Sequence, residues 1–482
     1  MCKKLISISL IITVVLVGFG NAALACTSVF AGKDATKDGS TLIARNEDMD
    51  SAWTKKFEVF PRTEYKKEDV EVFYNGLEVP RPEIGLKYFA LPDWDPSYGP
   101  YKEAGINEKG VAITATNSAY MNDKAKEADP LVDEGIGETH IPSLILPRAT
   151  SAKEGVKILG EMIEKYGAME ANGLAISDKD EVWYIEIGSG HHWVAVRVPD
   201  DKYVVVANQL RIDNIDKYED VLMSEGLRDF VYENGLLKED EELDFAKAFG
   251  KLGEKYNTRR EWGAQKLLSP SINQKATKER YPLFLKPDEK LSEKDVMEVL
   301  RYKYQGTKYD PELPNVEGER TIGVDRTMES HIIQMRQDMP VELSGVMWLA
   351  VGNPEYSTYV PFYAGMTETP DSYKKGTDTY DSESAYWSFR GAAALAQTNE
   401  AIYGKSVKEF WNNYENQMIE ELKVTDKMLL DLYKKDKEQA LKMINRISNR
   451  RGLEAVEKAK KLRRDILTNI ARKNSDVYNP DL

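Results

Sequence analysis

The residue most clearly suited to catalysis is Cys26, because a cut directly before it would make it the first residue of the mature chain. Two lysines near the start precede an apolar run, and Ala23 and Ala25 stand three and one positions before Cys26. This is the layout of a secretory signal peptide, and the run is too short to be a membrane span of about 20 residues. We predict a signal peptide over residues 1–25, export of the protein, and no stable membrane span.

A cysteine directly after a signal sequence can also carry a lipid anchor. Lipoprotein signals usually place a large aliphatic residue three positions before the cysteine and a small one two positions before it, and Ala23-Leu24 reverses that order. A lipid-anchored surface protein without catalysis is therefore kept as an alternative that the order disfavours. Mass spectrometry of the exported N-terminus separates the two, since acylation would block the amine of Cys26.

A cysteine at a free N-terminus contains both a nucleophile and a base. An α-amino group has a pKa of about 7.7 to 8.0, so a substantial part of it is unprotonated near neutral pH. Because the amine is tethered to the thiol that it can deprotonate, no histidine is required. Cys26 is thus a candidate nucleophile for the hydrolysis of an amide. The other interpretation of a lone cysteine is a buried and inert side chain.

The elements that would position this chemistry are two predicted strands, 28–32 and 40–45, joined by a turn at Asp38-Gly39. The hairpin would return Arg45 and Asp48 towards Cys26. A guanidinium near the sulfur favours the thiolate, and a carboxylate near the amine would orient it. From the spacing alone, a surface hairpin that ends in charged residues explains the pattern equally well.

The rest of the chain alternates predicted strands and helices in a mixed pattern with more antiparallel hairpins than βαβ repeats. The further strands are 110–117, 181–187, 192–198, 203–208 and 346–351, and the helices are 151–166, 243–252 and 292–302. From about residue 406 a helical extension has Phe410, Tyr414, Met418 and Leu422 at four-residue spacing. We predict a catalytic domain over 26–405 and a packed helical extension over 406–482. Whether the extension closes the interface of a homo-oligomer is left open.

Charge and histidine placement exclude several classes of function. The formal net charge is −14 and no basic patch is apparent, so nucleic acid is not predicted as a partner. His191 and His192 would point to opposite faces of a strand, and Glu329 with His331 lacks the spacing of the helical zinc motif. We predict no metal and no cofactor.

Several segments of the mature chain resemble one family of enzymes. They are 26–30 (CTSVF), 44–48 (ARNED), 105–111 (GINEKGV), 183–186 (WYIE), 188–193 (GSGHHW), 207–209 (ANQ), 326–331 (RTMESH) and 348–361. These segments are similar to the N-terminal-nucleophile (Ntn) hydrolases and, within them, to the dipeptidases of peptidase family C69. The similarity covers essentially the whole mature chain.

The resemblance implies an α+β fold, a four-layer αββα sandwich in which two antiparallel sheets lie between helical layers. It implies hydrolysis of dipeptides through a thioester on Cys26, with Arg45 beside the nucleophile and Asp48 holding the amine. The oxyanion site would be formed by Asn208 and Asn117, although each asparagine could instead be an ordinary turn former at a strand end. Arg260 would be the second arginine of the site, and its neighbour Arg259 is the alternative.

A related activity is the first rival to a dipeptidase. Penicillin V acylase and bile salt hydrolase have a comparable pattern of Cys, Arg-Asn-x-Asp and paired Asn, so an amidase acting on N-acyl compounds fits the same residues. The comparison that decides between them is which of the two substrates, a free dipeptide or an N-acyl compound, has the higher kcat/KM.

Overall fold

The computed structural model describes residues 26–99 and 101–477, and the side chains of 116, 117 and 474–477 lie outside the description, as does the predicted signal peptide over 1–25. Within these ranges the strands are β1 Thr27–Ala31, β2 Thr41–Asp48, β3 Glu58–Phe60, β4 Thr63–Glu64, β5 Val70–Val72, β6 Glu78–Pro80, β7 Ile84–Gly85, β8 Tyr88–Ala90, β9 Ala104–Asn107, β10 Ala112–Ser118, β11 Asn172–Ser177, β12 Val182–Ile187, β13 Trp193–Arg197, β14 Tyr203–Val206, β15 Val221–Met223, β16 Phe284–Leu285, β17 Thr327–Met335, β18 Gly345–Val351 and β19 Val360–Tyr363.

The α-helices in the same ranges are α1 Asp123–Ala128, α2 Ile141–Ile145, α3 Ala152–Tyr166, α4 Leu227–Glu233, α5 Phe245–Phe249, α6 Lys255–Leu268, α7 Glu293–Arg301, α8 Val341–Ser344, α9 Ala385–Gln397, α10 Lys405–Lys435 and α11 Lys437–Val477. Each of the seven strands and three helices predicted from the sequence before residue 406 is present, with ends that differ by up to three residues. No helix of the described part is long and apolar enough to cross a membrane.

Two antiparallel sheets form the centre of the fold. The first has seven strands in the order β16-β14-β1-β2-β17-β18-β19, and the second has eight in the order β15-β13-β12-β11-β10-β9-β8-β3. Strands β1 and β2 pair antiparallel with Ser28 opposite Arg45, so the predicted hairpin is confirmed. Strand β17 lies on the other side of β2, with His331 opposite Arg45. The functional hairpin is therefore central and buried in its sheet.

The sheets pack face to face and are covered by helices on both outer sides. Between them, the rings of Phe30 and Tyr184 lie 5.7 Å apart, and Thr114 Oγ1 lies 2.9 Å from His331 Nε2. Helices α2 and α3 cover the eight-stranded sheet, while α6, α7, α9, α10 and α11 cover the seven-stranded sheet. This is the predicted αββα sandwich of the α+β class.

Helix α3 shows why these sequences form the outer layers. The hydroxyl of Ser151 accepts a hydrogen bond from the Glu154 backbone and caps the first turn. One face buries Val156, Leu159 and Ile163 against the sheet, as expected of an amphipathic helix. A side chain at Gly160 would collide with Trp193, because a Cβ there would lie 2.0 Å from the indole ring.

The C-terminal helices extend the outer layer of the seven-stranded sheet. The predicted stripe is buried at Tyr414, Met418 and Leu422, whereas Phe410 is 36% exposed and its neighbour Trp411 is buried in its place. Helix α10 is also tied to the sheet region by two ion pairs, Arg301 with the buried Glu415 and Arg336 with Asp426. The extension thus packs on the core through one face.

Candidate active site

Cys26 directly precedes β1, at the end of the β1–β2 pair. Because side chains alternate along a strand, Cys26 and Ser28 share the face that looks towards the eight-stranded sheet, and Arg45 lies opposite Ser28 on that face. Arg45 Nη2 donates a hydrogen bond of 2.8 Å to Cys26 Sγ. The cysteine is only 2% exposed. The hairpin therefore brings Arg45 to the sulfur, and the surface hairpin that the spacing also allowed is not what forms.

Two buried carboxylates hold the guanidinium of Arg45 on the face that looks towards the eight-stranded sheet, which is the inner side of the site. Arg45 Nη2 also contacts Glu138 Oε1 at 2.8 Å, and Nη1 contacts Glu103 Oε2. Glu103 directly precedes β9, and Glu138 lies three residues before α2. Neither residue is indicated by the sequence, because they lie in loops 58 and 93 positions away from Arg45 and belong to no recognisable motif.

The thiol of Cys26 is strongly shifted towards its neutral form. Burial raises the pKa of Cys26 to about 12, Arg45 opposes part of that effect, and the negative charges of Glu138 and Asp48 add to it. The hydrogen-bond partners of the sulfur in the described part are the Arg45 guanidinium and the backbone of Asp48. Both are donors, so neither can accept the thiol proton.

Asp48 lies beside Cys26 on the outer side of the hairpin, which faces α6 and α7. Its Oδ1 accepts a hydrogen bond of 2.5 Å from Thr327 Oγ1, and its Oδ2 is paired with Arg320. Asp48 is fully buried. Asp48 thus lies near Cys26, and its carboxylate is held by Arg320 and Thr327, two residues that the spacing of the hairpin does not indicate.

Arg260 on α6 reaches the nucleophile from the same outer side. Its Nη1 donates to the carbonyl oxygen of Cys26 and, at 3.0 Å, to Thr27 Oγ1. Burial lowers the pKa of Arg260 to about 10, and the positive charge of Arg320 adds to this. The guanidinium of Arg259 instead lies over the ring of Tyr309. Of the two candidate arginines, the structure brings Arg260 to Cys26.

Asn208 follows β14 and joins the same group. Its Oδ1 accepts a hydrogen bond of 2.9 Å from Arg260 Nη2, which also donates to Asn257 Oδ1 at 2.8 Å. Asn257 Nδ2 in turn donates to the Asn208 carbonyl oxygen at 3.0 Å. With Oδ1 engaged, the Nδ2 group is the donor half of the Asn208 amide. Asn257 was missed, although its position three residues before Arg260 on a helix places both on one face.

Asn117 is the predicted site residue for which only the backbone is described. Its backbone lies in β10, where it pairs with Gly173 beyond a shift in the register of the strand. Its side chain lies outside the description. The oxyanion role of Asn117 stays a prediction.

The comparison with protein families bears on what this arrangement does. The model of peptidase family C69 matches residues 25–413, which is most of the chain. The chain belongs to peptidase family C69. It is therefore a hydrolase, and Cys26 stands one residue after the first position of the match.

Curated relatives of this C69 peptidase match between 76% and 93% of its length. A "Probable dipeptidase" of Latilactobacillus sakei is 43% identical over 390 residues, covering 79% of this chain and 82% of the relative. A "Probable dipeptidase" of Salmonella dublin is 39% identical, covering 76% and 86%. A "Probable dipeptidase B" of Streptococcus pyogenes serotype M1 is 31% identical, covering 93% and 94%.

A solved structure of a mutant conjugated bile acid hydrolase from Clostridium perfringens also matches this C69 peptidase. It is 15% identical with a TM-score of 0.35, covering 74% of this chain and 95% of the other. A likeness at that level carries no argument about the site. The placement of the site residues rests on the geometry described above.

The histidines of this C69 peptidase make contacts of their own. His331 lies between Glu329 and Thr114, His191 contacts Asp129, and His192 contacts Ser224. His140 accepts a hydrogen bond from the Gly137 backbone. Within the described residues, no group of three His, Cys, Asp or Glu side chains could hold a metal ion.

Proposed function

We propose that this C69 peptidase is an exported dipeptidase that hydrolyses dipeptides through a thioester on an N-terminal Cys26. The observation that carries the mechanism is the buried sulfur whose described hydrogen-bond partners are both donors. Such a thiol needs a base, and cleavage before Cys26 would create one on the same residue. The substrate class is supported by three relatives of at least 31% identity that are named as probable dipeptidases.

The reaction begins with proton transfer from the thiol of Cys26 to its own amine, directly or through a water. The thiolate attacks the carbonyl carbon of the peptide bond, and the negative charge moves to the carbonyl oxygen. We assign the stabilisation of that oxyanion to the amide N–H of Asn208, whose Oδ1 accepts a hydrogen bond from Arg260. A single donor of this kind typically contributes about 2.7 to 4 kcal/mol to the barrier.

Collapse of the tetrahedral intermediate breaks the peptide C–N bond. The ammonium of Cys26 gives its proton to the leaving nitrogen, which departs as the second amino acid, and the first remains as a thioester on Sγ. A water molecule then attacks the thioester, with the amine as its base. This step releases the first amino acid and returns the thiol, so the enzyme is regenerated without a cofactor.

The test compares the processed protein with a form that carries one uncleaved residue before Cys26. We expect the extended form to lose activity on a dipeptide at least about a hundredfold, because an amide nitrogen has no basic lone pair and general-base catalysis contributes roughly 10²- to 10⁴-fold. Cys26→Ala in the processed form should be equally inactive, whereas Cys26→Ser should retain a trace.

The matched control is the extended form after enzymatic removal of its extra residue, which should recover full activity. Mass spectrometry confirms in each sample which residue stands first. Full activity of the extended form with its extra residue still attached would refute the role of the amine. Mass spectrometry of the exported protein tests the other half of the proposal, since a terminus at any residue other than Cys26 contradicts the signal-peptide cut.

A further inference from the structure

The inner side of the site contains more buried carboxyl groups than cations. Arg45 is flanked by Glu103 and Glu138, and each of the three side chains is at least 97% buried. The neighbouring cation Lys55 already faces Glu47 at 3.3 Å and Asp93 at 2.6 Å. Two cations therefore face four carboxyl groups, and burial together with the charge of Glu103 raises the pKa of Glu47 well above its ordinary value, so part of the excess is held as a neutral acid. Ionisation of Cys26 would add a further negative charge. Because a buried charge without compensation is costly, a cation bound beside these carboxylates would be stabilised.

The carboxylate of Glu138 is within reach of the amino group of a dipeptide whose first carbonyl carbon lies at Cys26. Arg45 Nη2 is 2.8 Å from both Cys26 Sγ and Glu138 Oε1, so these two atoms are at most twice that distance apart. The sulfur attacks the first carbonyl carbon of the substrate from about 3 to 3.5 Å. The α-nitrogen is two bonds from that carbon, about 2.5 Å away. A charge-assisted hydrogen bond to Glu138, of about 2.7 to 2.9 Å, fits within this span.

Neighbouring groups hold the Glu138 side chain and backbone in place. Ser118 Oγ donates to Glu138 Oε2 at 3.1 Å. The backbone N–H of Glu138 donates to Glu170 Oε1 at 2.6 Å. Burial raises the pKa of Glu170, and this backbone hydrogen bond from Glu138 opposes part of that shift. The carboxylate of Glu138 is therefore fixed relative to the sulfur.

We propose that Glu138 binds the protonated α-amino group of the first residue of the substrate. This assignment rests on the proposed dipeptidase function and gives it a substrate class, peptides with a free and protonated N-terminus. It also separates the two activities that the sequence left open, because an N-acyl substrate has no cation for Glu138. Binding of the ammonium sets the distance between the N-terminus and the bond that is cut.

Glu103 offers a matched control for Glu138. Both carboxylates are buried and pair with Arg45, but Glu138 shares Nη2 with the sulfur while Glu103 binds Nη1. If a substitution acts only by loosening Arg45, kcat/KM should therefore fall in both variants and for every substrate. If the substitution acts through the substrate ammonium, kcat/KM should fall only in the Glu138 variant and only for substrates with a free amine.

The experiment measures kcat/KM for a dipeptide and for its N-acetyl derivative. The processed enzyme should prefer the free amine by at least about a hundredfold, since a buried site built for a polar group discriminates strongly against a substrate that lacks it. In Glu138→Gln the preference should fall below about tenfold, mainly through loss on the free dipeptide. In Glu103→Gln, kcat/KM should fall by the same factor for both substrates. Glu138→Asp should keep most of the preference for the free amine.

A binding measurement makes the inference independent of turnover. Calorimetry on processed Cys26→Ala should show tighter binding of the dipeptide than of its N-acetyl form, and adding Glu138→Gln should close that gap. Equal binding of both peptides to Cys26→Ala, or a preference that survives Glu138→Gln, overturns the role of Glu138. Absence of dipeptide turnover by the processed parent, with the binding preference present, instead contradicts the proposed function and leaves the ammonium site standing.

Discussion

The two sides of Cys26 carry opposite charge. On the inner side, between the two sheets, Arg45 is outnumbered by Glu103 and Glu138. On the outer side, towards α6 and α7, the two guanidinium groups of Arg260 and Arg320 lie near the carboxylate of Asp48. A dipeptide has a positive and a negative end, and its reaction builds negative charge on the carbonyl oxygen. The difference indicates that the inner side is suited to the ammonium and the outer side to the developing oxyanion.

Arg45 and Arg260 also differ in the groups that accept their hydrogen bonds. Arg45 is held by carboxylates, whereas the described acceptors of Arg260 are uncharged: Cys26 O, Thr27 Oγ1, Tyr256 O, Asn208 Oδ1 and Asn257 Oδ1. When the acceptors of a buried guanidinium are uncharged, its positive charge is not neutralised, and it can stabilise another anion. Arg45 is thus mainly a partner of buried carboxylates and the sulfur, and Arg260 provides the positive potential.

The largest effect is expected from Arg45→Leu. This change removes the donor to the sulfur and leaves Glu103 and Glu138 buried without their shared cation. Breaking a buried ion pair from one side typically costs about 3 to 5 kcal/mol of stability, so both the melting temperature and kcat/KM should fall sharply. Arg45→Lys keeps the charge but not the planar fork, and should recover part of the stability. An unchanged melting temperature in Arg45→Leu would contradict this picture of the inner side.

The next largest effect is expected from Arg260→Gln. It should lower kcat on a dipeptide by about a hundredfold or more, because Asn208 loses the donor that orients it at the oxyanion position. Arg259→Gln is the matched control, since Arg259 is the adjacent residue of α6 and stacks on Tyr309. It should retain nearly parental kcat. Equal losses in both variants would show that the effect comes from α6 as a whole and not from Arg260.

A smaller effect is expected from Asp48→Asn. The change keeps the volume but removes the charge that would orient the Cys26 amine, so kcat should fall about tenfold to a hundredfold. Because Asp48 pairs with Arg320, a drop in melting temperature should accompany it.

Arg320→Gln breaks the same ion pair and keeps the carboxylate, which makes it the control. It should share the loss of stability with Asp48→Asn but retain more of the activity. If kcat of Asp48→Asn stays near the parental value, Asp48 has no part in the reaction.

The outer layers and the functional hairpin were predictable because their signals are local. The turn at Asp38-Gly39 fixes the return of Arg45 within twenty residues of Cys26, and α3 has a cap and an amphipathic face. The inner carboxylates were not predictable, since Glu103 and Glu138 reach Arg45 only when the two sheets pack. Their contacts with Arg45 form only in the tertiary structure, so the spacing of residues along the sequence does not indicate them.

Strand β17 was missed for a related reason. It is fully buried yet contains Glu329, Ser330, His331 and Gln334, so its pattern is neither apolar nor alternating. These side chains satisfy one another and their neighbours: His331 lies between Glu329 and Thr114, and Ser330 donates to Asn46. A buried polar strand is stable only with such partners, and the partners are visible only once the sheets are assembled.

The smallest expected effect concerns the reactivity of the thiol before processing, and it tests the sign of the inner charge. The pKa of Cys26, raised by burial to about 12, is raised in part by Glu138. The thiolate fraction falls about tenfold for each pH unit below the pKa, so iodoacetamide should react slowly with the uncleaved chain at pH 8 and faster as the pH rises. Glu138→Gln removes a negative charge near the sulfur, lowers the pKa of the thiol, and should speed alkylation at pH 8 by up to about tenfold. Glu103→Gln, whose charge is on the far side of Arg45, should change the rate less. Slower alkylation in Glu138→Gln would mean that its main effect is to loosen Arg45 from the sulfur, and the assignment of opposite signs to the two sides would fail at its inner half.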